Sequence, residues 1–122
     1  MAKTSWFANG AAILAFGASL VGPSALTAQA QEQETEQLYK KSCSSCHGPQ
    51  GKGDGPAGKL LKPPAGDFSS VLKPMTDADI AKIIKDGGKA VGKAAAMPAF
   101  GGKLSDAQMQ DLVRYIKKLA SN

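Results

Sequence analysis

One histidine, two cysteines and one tryptophan in 122 residues leave little material for several kinds of chemistry. A structural zinc site needs four sulfur or nitrogen ligands, and Cys43, Cys46 and His47 are all that one chain can offer. No segment shows the strand pattern that a thioredoxin-like dithiol requires around it. Aromatic residues make up 6% of the chain, and its 15 lysines and arginines are scattered rather than interleaved with them. That pattern argues against nucleic acid as a partner. The longest apolar run, Ala11 to Leu26, is broken by Gly17, Gly22 and Pro23, and it is short for a membrane span.

The same run has another reading. Met1 to Gly10 is a short start carrying Lys3, the apolar stretch follows, and Ala28-Gln29-Ala30 has the small-x-small form of a signal-peptidase site. Residues 1–30 therefore read as a secretory signal cleaved before Gln31, with an uncleaved anchor as the alternative. In either case the folded part sits outside the cytoplasm, and the expected location is the periplasm. Residues 31–122 then form one small domain, of a size that commonly needs a staple to hold its modest core.

The chain is organised around Cys43-Ser44-Ser45-Cys46-His47. Two cysteines three apart with a histidine directly after the second form the attachment signature of c-type haem. One helical turn brings both sulfurs to the porphyrin edge, where each thiol adds to a vinyl group, and His47 lies under the iron as proximal ligand. A disulfide between Cys43 and Cys46 would close a very small loop and leave His47 without a role. A covalently attached haem, one per chain, is also the staple that the small domain needs.

Three helices are expected, and no strand. The first spans about Glu34 to Cys46, with Thr35, Leu38, Tyr39, Ser42, Cys43 and Cys46 recurring at three and four, and with Glu32, Glu34 and Glu36 at its start, where they suit the helix dipole. Thr76 to Asp79 resembles a capping box and opens a helix to about Asp86 with Ile80, Ile83 and Ile84 inward. Ser105 to Gln108 is a second capping box, and the last helix runs from it to about Ala120, with Met109, Leu112, Val113, Ile116 and Leu119 as its apolar stripe. Between them lie loops. Gly53, Gly55 and Gly58 spell G-x-G-x-x-G, but the motif follows no strand and contains Pro56, so a dinucleotide site is rejected. The loop glycines are expected to let backbone pass close to the haem, and Pro56 to present its carbonyl to the ring nitrogen of His47 that does not bind iron, orienting the imidazole. Phe68 is expected in the core or as a wall of the haem pocket.

With a single histidine, the sixth position on iron falls to methionine, lysine, water or an exogenous ligand. Met109 belongs to the stripe of the last helix. Met97 sits in a glycine-bearing loop that can bring backbone up to the iron, and it is the favoured ligand, with Met75 in reserve. A thioether favours ferrous iron and fills the last site, which suits electron transfer better than catalysis.

On these residues the sequence resembles class I c-type cytochromes, the small bacterial mono-haem electron carriers, over essentially all of Glu34 to Leu119. Cys43, Cys46 and His47 match the haem motif, Met97-Pro98-Ala99-Phe100 matches the distal segment, and Pro56 is similar to the proline that bonds the proximal histidine. The resemblance implies an all-α cytochrome c fold of three to five short helices around one haem. It also implies that the first and last helices cross near the haem edge, with Tyr39 meeting Leu112 and Tyr115. Thr35 departs from the glycine often found at that crossing, so a wider approach is expected. The expected function is a soluble, monomeric, periplasmic one-electron carrier and not an enzyme. A relay subunit of a larger oxidoreductase and a peroxidase-type haem enzyme are the alternatives. Lys52, Lys59, Lys89, Lys93 and Lys103 flank the two ligand segments, and on the functional reading they steer docking to acidic redox partner proteins.

Overall fold

A computed structural model describes residues 23–122. The body of the expected export signal, residues 1–22, lies outside the described residues. Within them all regular structure is helical: α1 (Pro23–Ser42), α2 (Ser44–His47), α3 (Phe68–Val71), α4 (Asp77–Asp86) and α5 (Asp106–Ala120), with short 3-10 turns at Gly58–Leu60 and Lys89–Val91. The all-α expectation holds.

The first helix is already formed at Pro23, where the described residues begin, eleven positions ahead of its expected start at Glu34. Ser24 to Gln33 contains no breaker. Glu32, Glu34 and Glu36 consequently stand inside the helix, and its first turn carries no acid, so the dipole argument for them fails. Two of them pair instead: Glu36 bonds Lys40 at 2.6 Å one turn on, and Glu32 reaches Lys118 of α5. The expected cleavage point between Ala30 and Gln31 falls within this helix, in a stretch whose residues 24–34 are all exposed.

Nor does the helix run unbroken to Cys46. It stops at Ser42, Cys43 takes a non-helical conformation, and α2 resumes at Ser44. The hydrogen bonds bridge the break, Cys43 N donating to Tyr39 O at 2.8 Å and His47 N to Cys43 O at 2.9 Å. A longer bond across three residues, from Cys46 N to Cys43 O at 3.2 Å, closes the single turn between the two thiols.

Where α1 crosses α5 the core is aromatic. Tyr39 is fully buried, its ring 5.3 Å from that of Tyr115 and 6.5 Å from that of Phe68. Leu112, Val113 and Ile116 of α5 and Ile80 and Ile84 of α4 complete the buried set, each such side chain contributing about 1.5–3 kcal/mol by leaving water. Thr35 is buried at the crossing, and its hydroxyl donates to Gln31 O at 2.8 Å, so the extra polar atom is satisfied within its own helix.

Local chemistry sets the other helix ends. Thr76 with Asp79 opens α4 and Ser105 with Gln108 opens α5, both as reciprocal capping boxes, and Asp67 caps α3 by accepting from Ser69 N at 2.8 Å. Lys117 of α5 pairs with Asp77 at the start of α4. The loop after His47 folds back on α2: Gly53 N donates to His47 O at 2.8 Å and Ala57 N to Ser45 O at 3.0 Å. A Cβ on Gly58 would lie 1.9 Å from Cys46 O. Glycine is needed there for backbone to approach α2.

Candidate functional site

Between α2, α3, α4 and the loop ahead of α5 lies an open cavity with about 1240 Å³ of space free of protein atoms, its mouth included. Its walls are predominantly apolar, with Phe68, Leu72, Ile80, Ile84 and Phe100 among them. Cys43, Cys46 and His47 all line it, and so do Met97 and Met75. Met75 and Met97, far from the cysteine motif in sequence, thus reach one chamber with it because the chain wraps round it.

The His47 segment is held from outside the cavity. Tyr39 donates its phenol to Gly48 O at 2.7 Å, which ties the residue after His47 to the centre of the α1–α5 crossing. Burial raises the Tyr39 phenol far above its ordinary range, so the donor keeps its proton at any working pH. The His47 imidazole lies 4.9 Å from the Phe68 ring at an interplanar angle of 33°. Phe68 in turn is placed by Asp67 and by its own N–H, which donates to Gly51 O at 2.8 Å.

Burial pushes the His47 pKa down, so the ring is neutral and available as a ligand. Burial first, and the neighbouring Cys46 second, push the Cys43 thiol up to about 11. Among the described residues, His47 Nδ1 is the buried side-chain atom that finds no hydrogen-bond partner. A buried polar atom left alone costs about 1–3 kcal/mol, an isolated misfit in an otherwise satisfied interior.

The family described as cytochrome c oxidase, cbb3-type, subunit III matches residues 30–116. The chain belongs to this family of c-type cytochromes. No curated protein matches it. Membership carries covalently bound haem c, and with it haem-based electron transfer through redox partners, as the chemistry of the domain.

The cavity of this cytochrome fits such a group. Two thiols one turn apart, a neutral imidazole with an orphaned nitrogen, thioethers and apolar walls form a donor set for haem and for little else. Cys43 and Cys46 would hold the macrocycle covalently, and His47 and Met97 would take the iron. Met75 lines the same chamber, so its place as reserve stands, whereas Met109 packs against the core away from it.

Pro56 is exposed and does not line the cavity, and in this structure no bond joins its carbonyl to His47 Nδ1.

Lys52, Lys59, Lys89, Lys93 and Lys103 are all exposed. Among the described residues none of the five has a carboxylate within ion-pair reach, in contrast to Lys40, Lys82, Lys117 and Lys118 on the helices. Lys93 lines the cavity itself, and Lys103 lies over the Phe100 ring at 5.4 Å. Sequence reasoning missed two features. Phe100 was quoted only as a neighbour of Met97, although it is a wall; its apolar side chain beside a ligand candidate was the available signal. The bond from Tyr39 to Gly48 had no local signal, since it joins α1 to the loop beyond α2.

Proposed function

We propose that this cytochrome is a soluble periplasmic one-electron carrier with one haem, attached at Cys43 and Cys46 and ligated by His47 and Met97. The observation that carries the reading is the convergence of both thiols, the only histidine and Met97 on one apolar chamber. On this reading residues 1–30 are removed on export and residues 31–122 are the mature carrier. No helix among the described residues is long and apolar enough to cross a membrane.

When bound, haem supplies an iron centre that takes up and releases a single electron. The protein does the rest. Phe68, Ile80 and Ile84 exclude water from the chamber, Tyr39 and Phe68 fix the segment and ring of His47, and Met97 would offer its thioether to the iron. A filled site favours electron transfer over binding of oxygen or peroxide, so the peroxidase-type reading ranks below the carrier. Lys93 at the cavity, with the other exposed lysines that among the described residues have no carboxylate in ion-pair reach, would steer a monomeric carrier toward acidic surfaces of its partners.

This reading is tested by electron-transfer rates with the natural partner across ionic strength. The rates should fall as salt screens the lysines over about 8–10 Å, and rates independent of salt would remove the steering role. A second reading is favoured by the description of the family: the chain would be a fixed relay subunit of a terminal oxidase. Solubilisation under mild detergent separates the two, since a carrier is recovered alone and a relay subunit with its complex.

A further inference from the structure

The segment that carries Met97 is built against the end of α4 through backbone alone. Phe100 N donates to Ile84 O and Gly101 N to Lys85 O, both at 3.0 Å, so the loop takes carbonyls that the last turn of a helix leaves free. Gly88 N donates to Met97 O at 3.0 Å, and Lys93 N returns to Gly88 O at 2.8 Å. Two buried glycines stand where helix and loop meet.

Each of the pair excludes a side chain for a different reason. Gly87 has φ 79° and ψ 167°, a region that only glycine enters cheaply. Gly88 has ordinary helical angles, so its requirement is space: a Cβ there would lie 2.0 Å from Ala94 O and 3.1 Å from Met97 Cβ. A Cβ on Gly87 would meet Met97 O at 3.0 Å and Ala99 N at 2.9 Å. A side chain at Gly87 therefore pushes on the backbone of Met97 to Ala99, and one at Gly88 on the Ala94 carbonyl and on the Met97 side chain itself.

We infer that Gly87 and Gly88 are positioning residues for the Met97 thioether, setting how firmly it holds the iron. The inference rests on the reading of Met97 as axial ligand. Nearby Gly92 supplies the control. It has φ 70°, but a Cβ there meets nothing within 4 Å, so substitution strains the turn without pushing Met97.

The test uses the haem-loaded protein and imidazole, which competes with the thioether for ferric iron. Gly88→Ala should bind imidazole about tenfold more tightly than the parent, equivalent to about 1.4 kcal/mol lost from the thioether bond. Its reduction potential should fall, while Gly92→Ala stays at the parent values. In a Met97→Ala background, Gly88→Ala should change neither quantity, because its route of action is gone. Equal effects of Gly88→Ala and Gly92→Ala, or an undiminished effect in the Met97→Ala background, would overturn the inference.

Should Gly88→Ala fail to accumulate, Gly101→Ala presses the same anchor more gently. Its Cβ would lie 3.1 Å from Lys85 O and 2.8 Å from the yielding Lys85 side chain. A gain of a few-fold in imidazole affinity supports the positioning role, and no gain refutes it. If Met97→Ala alone leaves imidazole affinity at the parent value, the ligand reading itself has failed, a result distinct from both.

Discussion

Replacing Tyr39 tests how the centre of the fold is coupled to the haem motif. Tyr39→Phe keeps the buried ring and deletes one bond, the 2.7 Å contact from the phenol to Gly48 O. That carbonyl also accepts from Gly51 N at 3.2 Å, so it keeps a partner. The loss should therefore sit near the ordinary net value of one hydrogen bond, about 1 kcal/mol, and not at the larger cost of an orphaned group. Tyr39→Leu removes the ring as well, with its contacts to Phe68 and Tyr115, and leaves a void at the most buried point of the α1–α5 crossing. That variant should lose about 3 kcal/mol. The assay is guanidinium unfolding of the haem-loaded protein, with the midpoint shift converted at an unchanged slope. In thermal unfolding, 1 kcal/mol corresponds to about 4–8 °C for a domain this small. Equal losses for the two variants would refute the division between ring and hydroxyl. A loss of 3 kcal/mol in Tyr39→Phe would mean that the Gly48 carbonyl depends on the phenol alone.

Two further outcomes follow from the helix ends. Ser105→Ala removes the oxygen that accepts from Gln108 N at the start of α5 and should cost about 1 kcal/mol, read from the same unfolding curves; a shift indistinguishable from zero would show that the cap is replaced by water. Acid should destabilise the protein as well. The Thr76 hydroxyl and backbone hold the Asp79 carboxyl below its ordinary range, and Ser69 does the same for Asp67. A carboxylate whose pKa is depressed by folding contributes stability that is present above about pH 4, the unfolded value, and lost as pH falls through the folded one. Thermal midpoints should drop below pH 4, and Asp79→Asn should flatten part of that drop; an unchanged slope in the variant would place the acid sensitivity elsewhere.

Local signals were legible and distant ones were not. Thr76 with Asp79 and Ser105 with Gln108 could be read as caps because every atom involved lies within four residues. The haem motif was legible for the same reason, its geometry being one turn of chain. The start of α1 was misread because apolar residues and a small-x-small site serve an export signal and a helix equally well, and nothing between Pro23 and Glu34 forbids the helix. The role expected of Pro56 is a reading from loop chemistry and from the resemblance, whereas the path of its loop depends on where Gly53 and Ala57 find acceptors, and those are on α2. Met97 and Met75 remain two candidates at one chamber because both approach it from loops, where no helical periodicity ranks them. The choice between them was made on loop chemistry, and the chamber is compatible with it.

The most direct measurement is therefore the optical spectrum of the ferric protein in the far red, where a thioether bound to iron gives a weak charge-transfer band. Parent protein and Met75→Ala should both show the band, and Met97→Ala should lose it while keeping haem covalently bound through Cys43 and Cys46. A band that survives in Met97→Ala and vanishes in Met75→Ala would hand the axial position to Met75, and a high-spin parent spectrum with no band would contradict His47/Met97 ligation and the carrier built on it.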